Sequence, residues 1–183
     1  MPESVRTTAI ERHALSPWVT LVSRTLTRGG EPPQVYHSLS QADYVSILAV
    51  GPDGRIPLVR QYRPAVERIT LELPGGLLDS HETPAAVAAR ELREEAGFDV
   101  EEEPTLLGRL KPDTGRLENH YWCYFARAKR LEGWHAERHV ERVIWSQAEL
   151  RNAIADGSFD HALHIALVGL AVMRGYLEWQ TPC

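Results

Sequence analysis

A chain of 183 residues, 43% hydrophobic and 25% charged, is long enough to bury one well-packed globular core. Its formal net charge of −5 shows no basic stripe, which argues against a nucleic-acid duplex as partner and leaves small anionic substrates open if metal ions supply positive charge. Cys123 and Cys183 form neither a disulfide framework nor a zinc spacing, the opening MPESVRTTAI lacks the layout of a signal peptide, and the longest apolar stretch, residues 162–173, is too short for a bilayer; the expectation is a soluble, cytoplasmic protein with no membrane partner.

In chain order, the first predicted strand covers residues 18–26, and a second covers 34–39 after the turn at 28–33. Residues 44–50 and 55–62 form a predicted hairpin around Gly51-Pro52-Asp53-Gly54, and a short strand at 69–73 leads into Pro74-Gly75-Gly76. Thr83 reads as an N-cap with Pro84 at the first helical position, and Gly97 stands where a helix ends in a left-handed residue. Within that helix Ala85, Ala88, Ala89, Leu92 and Ala96 make a small-residue face suited to packing on a sheet. Strands follow at 105–110, 121–128 and 142–146, then helices at 147–155 and 161–179. No repeat or linker interrupts the chain, and strands flanked by a mid-chain helix and terminal helices predict an α/β (α+β) fold with helix–sheet–helix layering.

Glu91, Glu94 and Glu95 fall at i, i+3 and i+4, so their carboxylates crowd one face of the mid-chain helix. At ~6 Å and an effective dielectric of ~20, each such pair repels by roughly 3 kcal/mol. An acidic run is ordinarily a solvated face. The preceding Pro74-Gly75-Gly76 turn favours another reading, because it brings backbone carbonyls near the first helical turns. Hard oxygens gathered this way suit Mg²⁺ or Mn²⁺. Arg90 and Glu82 then read as an ion pair that aims the ligands, although Glu82 also suits the helix dipole on its own.

From Gly76 to Phe98 the sequence is GLLDSHETPAAVAARELREEAGF, with Gly76, Glu82, Arg90, Glu91, Leu92, Glu94, Glu95 and Gly97 at the spacing of a known signature. This stretch resembles the Nudix box of hydrolases that cleave nucleoside diphosphates linked to another group, with Phe98 where an aliphatic residue is usual. The resemblance implies a helix–sheet–helix sandwich with a mixed sheet over residues 44–183. Residues 1–43 are extra to a minimal domain of this kind, and are expected to form an antiparallel sheet that helps build a homodimer.

Upstream, Leu58-Val59-Arg60-Gln61-Tyr62-Arg63-Pro64 and Leu71-Glu72-Leu73-Pro74-Gly75-Gly76 resemble the branch of this family acting on ADP-ribose and nucleotide sugars. That resemblance implies that Arg63 contacts the diphosphate, with Arg60, Tyr62 and Glu72 among the substrate-binding residues. It also implies that the Gly75 carbonyl joins Glu91, Glu94 and Glu95 around Mg²⁺ or Mn²⁺, with Glu94, Glu95, Glu82 and Arg90 forming the catalytic machinery. Downstream, Pro112-Asp113-Thr114-Gly115-Arg116-Leu117-Glu118-Asn119 stands where ADP-ribose enzymes often have Ser-Pro-Gly, which makes Arg116 and Glu118 candidate specificity contacts and suits a broader nucleoside diphosphate sugar hydrolase.

The general base in this branch often comes from a loop glutamate before the penultimate helix, here Glu137 first and Glu141 next; His135 and His139 share that loop. Tyr62 and Trp134 are candidates to stack on a nucleobase, as is Trp18 across a dimer interface, whereas Trp122 alternates within a strand as a core residue does. Two other readings remain: a Nudix hydrolase of dinucleoside polyphosphates, and a non-catalytic module that senses a nucleotide sugar. The retained box glutamates argue against the second.

Overall fold

The computed structural model describes residues 4–78, 81–136 and 139–179. Contacts divide the chain into two compact units, one built from the N-terminal residues to Asp43 with Lys111–His120, the other from Tyr44–Leu110 and the residues from Tyr121 onward.

The first unit is a three-stranded antiparallel sheet, β1 (Val5–Ala14), β2 (Thr20–Arg28) and β3 (Gln34–Ser40), in that order. β2 and β3 answer to the expected strands, but β1 was not anticipated. Its side chains are exposed along its whole length, so it carries no in–out alternation, and backbone pairing with β2 from Val5↔Arg28 to Ala14↔Thr20 holds it instead. Lys111–His120 is tied to the same unit by the Leu39 N–H to the Arg116 carbonyl (2.7 Å), the Glu118 N–H to the Leu39 carbonyl (3.0 Å), and Asn119 Nδ2 to the Ala42 carbonyl (3.0 Å).

The second unit contains β4 (Tyr44–Val50), β5 (Ile56–Arg63), β6 (Arg68–Glu72), β7 (Gly75–Leu77), α1 (Pro84–Ala96), β8 (Phe98–Val100), β9 (Thr105–Leu110), β10 (Tyr121–Arg130), β11 (Val140–Trp145), α2 (Gln147–Asp156) and α3 (Ala162–Met173). One sheet runs β7-β4-β10-β8 with β9 also on β10, and another runs β11-β5-β6. β4 and β10 are parallel and the remaining pairs antiparallel, so the sheet is mixed.

β4 shows how the layers form. Val45, Ile47 and Ala49 pack with Val87, Ala88, Leu92 and Ala96 of α1, while Leu48 and Val50 join Leu150 of α2 and Leu167, Val168 and Ala171 of α3. Alternate residues of one strand thus serve two cores, which is why β4 is apolar nearly throughout. A fully buried leucine such as Leu92 contributes about 1.5–3 kcal/mol. The result is the expected helix–sheet–helix sandwich.

Several boundaries moved for local reasons. α1 begins as anticipated, with Thr83 Oγ1 accepting from the Ala86 N–H, and ends at Gly97 in the left-handed conformation (φ 66°). Ser146 is not the end of a strand but the N-cap of α2, in a capping box with Glu149. α3 stops at Met173 rather than Trp179, because the chain turns at Arg174 and at Gly175, whose φ is 74°. Among the described residues no helix is long and apolar enough to cross a membrane.

Candidate active site

The site is built where the Leu73–Gly76 segment meets α1. The Ile47 N–H donates to the Pro74 carbonyl at 3.0 Å, and Gly75 pairs with Ser46 across β4 and β7. A Cβ on Gly75 would lie 2.3 Å from the Val45 carbonyl oxygen, and one on Gly76 would lie 2.5 Å from Glu91 Oε1. Gly75 is therefore required by its close approach to the backbone of β4, whereas at Gly76 the neighbour is the carboxylate end of the Glu91 side chain, which can move.

From α1, Glu95 Oε2 accepts from the Gly75 N–H at 3.0 Å. Only 8% of Glu95 is exposed, and burial pushes its carboxyl up to about 7; the Gly75 N–H opposes the shift and the neighbouring Glu91 charge adds to it. Arg90 bonds Glu82 at 3.1 Å and reaches Glu91 and Glu94 at 2.9 Å each. One guanidinium thus faces three carboxylates, while Glu95 beside them is in no ion pair among the described residues and feels the charge of Arg63 only through space. A hard divalent ion fits this donor set: all donors are oxygens, and three glutamates of one helix face gather beside the Gly75 turn with the Arg90 guanidinium shared among Glu82, Glu91 and Glu94.

Beside the cluster lies a cavity of about 600 Å³, whose lining includes Arg63, Glu72, Gly75, Glu95, Tyr121 and His161. Arg63 grips Glu72 with a fork, Nε to Oε1 at 2.8 Å and Nη2 to Oε2 at 2.7 Å, and Thr70 Oγ1 donates to Oε1 at 2.6 Å. The Glu72 side chain is 3% exposed. Burial alone would raise its carboxyl, but the Arg63 and Thr70 hydrogen bonds and the Arg63 charge outweigh it and hold Glu72 down at about 2. Expected among the substrate contacts, Glu72 lines the cavity with both oxygens already engaged.

Two further residues of this wall escaped the sequence reading. His161 is the N-cap of α3, and its ring stacks on His164 with centroids 3.7 Å apart. His164 Nδ1 accepts from the Leu73 N–H at 3.1 Å and Nε2 lies 3.1 Å from Ser46 Oγ. With 4% exposure, burial holds His164 down to about 3, so the ring is neutral. Nδ1 is the acceptor, which assigns the proton to Nε2 and makes Ser46 Oγ its acceptor. Ligand atoms of Glu72, His161 and His164 lie within 4.8 Å of one another. Both nitrogens of His164 and both oxygens of Glu72 are already hydrogen-bonded, so the cluster is a hydrogen-bond network rather than a metal nest.

Other expected residues of the second unit are not in the lining of this cavity. Tyr62 is exposed on β5, and Arg60 is 3.6 Å from Glu141, its cross-strand partner. Glu141 thus belongs to β11, not to a loop. Glu137 lies outside the described residues. Trp134, a candidate for base stacking, instead seals the end of α1. Its Nε1 donates to the Glu94 carbonyl at 3.2 Å, Arg142 sits 4.4 Å over its ring, and a Cβ on Gly97 would lie 2.4 Å from it. Trp122 packs with the α1 core under Arg109, and Trp18 is 71% exposed. In the first unit, Glu118 bonds Arg24 and Ser38 and approaches Arg12 (3.6 Å), and Arg116 is 3.8 Å from Asp113. Both line a separate cavity of about 400 Å³ within that unit.

Comparison with known proteins gives consistent matches. The NUDIX domain family model matches residues 41–161. An ADP-ribose pyrophosphatase of Mycobacterium tuberculosis is 33% identical over 141 residues, covering 73% of this chain and 68% of that protein. An ADP-ribose pyrophosphatase of Bacillus subtilis is 44% identical over 54 residues, covering 30% of this chain and 29% of that protein. The crystal structure of an ADP compounds hydrolase superposes with a TM-score of 0.77 over 97% of this chain and 96% of that one; at 24% identity the likeness speaks to fold.

Proposed function

Because this chain belongs to the Nudix family of hydrolases, we propose that it cleaves the diphosphate of a nucleoside diphosphate sugar, ADP-ribose or an NDP-hexose, to a nucleoside monophosphate and a sugar phosphate. The observation that carries the reading is the juxtaposition of the buried Glu95, bonded to the Gly75 N–H, with a cavity that also presents Arg63. The names of the two pyrophosphatase relatives support ADP-ribose, while the Pro112–Asn119 segment, which departs from the Ser-Pro-Gly form, keeps an NDP-hexose in view.

In this reading Glu91, Glu94, Glu95 and the Gly75 carbonyl hold Mg²⁺ or Mn²⁺. Such an ion supplies charge neutralisation of the diphosphate and an activated water when bound. Arg90, bridged to Glu82, keeps the carboxylates of α1 in register. The Glu72 fork uses two of the five N–H bonds of Arg63, so the guanidinium is oriented with donors remaining for a diphosphate oxygen. Glu137 takes the proton of the attacking water, with Glu141 as the second candidate. Arg60, Tyr62, Arg116 and Glu118, none of which lines the cavity beside Glu95, stay in the reading as substrate contacts to be tested, Trp18 included only if residues 1–43 mediate a homodimer. Cytoplasmic residence completes the reading.

The test is phosphatase-coupled phosphate release with Mg²⁺ across ADP-ribose, ADP-glucose, UDP-glucose, GDP-mannose and diadenosine polyphosphates. Selective turnover of one nucleotide sugar, abolished by Glu95→Gln, is expected. Preference for the diadenosine polyphosphates would overturn the substrate class, and silence with both Mg²⁺ and Mn²⁺ would favour a sensing module.

A further inference from the structure

α3 is an apolar helix, and His164 is the polar side chain on its buried face. A buried imidazole costs free energy unless both nitrogens are satisfied. Here they are, and both partners belong to the frame of the metal-ligand turn. Nδ1 takes the N–H of Leu73, two residues before Gly75, and Nε2 reaches Ser46, the cross-strand partner of Gly75. The same turn is fixed from β4 by the Ile47 N–H to the Pro74 carbonyl, and it ends in the Gly75 N–H that holds Glu95. The turn is thus pinned at Leu73, Pro74 and Gly75 in succession. His161, stacked on the far face of the ring and lining the cavity, leaves His164 no room to swing.

We propose that His164 is a positioning residue that holds the Leu73–Gly75 turn from α3 and thereby sets where Gly75 and Glu95 meet a divalent cation. The inference rests on the reading of Gly75 and Glu95 as cation ligands. It assigns α3, which lies outside the Nudix box, a part in metal affinity: releasing the Leu73 N–H frees the turn, and Glu95 loses the fixed N–H that aims its carboxylate. Residues that orient metal ligands in this indirect way commonly change affinity about 10–100-fold when removed.

The test is Mn²⁺ binding in the absence of substrate, followed by electron paramagnetic resonance, on wild type, His164→Leu and His164→Gln. Glutamine retains an acceptor for Leu73 and a donor for Ser46, and leucine retains neither. The leucine variant is expected to bind Mn²⁺ about tenfold or more weakly and the glutamine variant within threefold of wild type. In turnover, the half-saturating Mg²⁺ concentration should rise for leucine while KM for the nucleotide sugar at saturating Mg²⁺ stays unchanged. A histidine with a purely structural part would lower Tm and leave Mn²⁺ affinity within threefold, and that result overturns the proposal. If His164→Leu does not fold, Ser46→Ala replaces it: an affinity at least twofold weaker supports the proposal, and an unchanged one overturns it. Wild type that binds no Mn²⁺ defeats the functional reading itself, a different failure from wild type and His164→Leu binding alike.

Discussion

Glu72 at the end of β6 and Glu95 near the end of α1 are both buried, and both line the same cavity. Their carboxyls are driven in opposite directions, Glu72 down to about 2 and Glu95 up to about 7. Burial pushes both upward, so burial does not explain the difference. Partners do. Glu72 has a two-bond guanidinium fork and a hydroxyl, whereas Glu95 has one backbone N–H, the charge of Arg63 acting through space, and the like charges of Glu91 and Glu72. A carboxylate completed by its own protein serves to orient another group, here Arg63. A carboxylate left incomplete in this way is, in the proposed reading, the one that meets a cation at the cavity wall.

The largest expected effect follows from neutralising the incomplete partner. Glu95→Gln should lower turnover by about two orders of magnitude or more. Tm in EDTA should hold or rise, since the amide can still accept from the Gly75 N–H and no longer carries a buried charge. A fall in Tm with turnover intact would break the contrast. Glu72→Gln should instead lower stability, because it strands Arg63. Breaking a buried pair costs about 3–5 kcal/mol, reduced to ~1–3 kcal/mol here because the guanidinium is half-exposed. Glu72 is depressed from 4.5 when folded, so its contribution is present above about pH 4.5 and is lost as the pH falls through about 2. Urea denaturation should therefore show the gap between wild type and Glu72→Gln at full size at pH 7, shrinking below pH 4.5. A gap independent of pH would mean that the fork does not stabilise the fold through its charge.

The convergence of the α1 carboxylates was visible in the sequence, and the hydrogen-bonded state of Glu72 was not. α1 is specified locally: Thr83 caps it, Gly97 ends it, its small face fits the sheet, and the i, i+3, i+4 carboxylates need only helix geometry to converge. The Arg90–Glu82 pair is similarly close in sequence and was anticipated. The state of Glu72 depends on a fork from a neighbouring strand, and nothing in Leu71-Glu72-Leu73 signals that its oxygens are taken. His164 was harder still. A histidine inside an apolar helix reads as core, and its partners are 91 and 118 residues away. Glu141 was placed in a loop because the start of β11 shows only through its pairing with β5. β1 escaped because an exposed strand leaves no apolar period to read.

The smallest effect expected concerns Trp134 and the end of the helix that carries Glu95. An indole next to a loop reads naturally as a nucleobase platform, yet its N–H is donated to the Glu94 carbonyl and Arg142 covers its ring while bonding the Ala96 carbonyl at 3.1 Å. These contacts satisfy carbonyls that the last turn of a helix leaves without intrahelical partners. Trp134→Phe keeps an aromatic face under Arg142 and removes the N–H together with part of the ring. It should cost about 1 kcal/mol of stability, the net worth of one hydrogen bond, with KM for the nucleotide sugar unchanged within twofold. A base-stacking tryptophan would give the opposite pattern for Trp134→Leu, a KM raised about fivefold or more from the loss of ~1–3 kcal/mol of stacking, with Phe close to wild type in both readouts. Comparing the two substitutions by calorimetry and steady-state kinetics therefore decides whether this ring holds the end of the helix that carries Glu95 or touches the substrate.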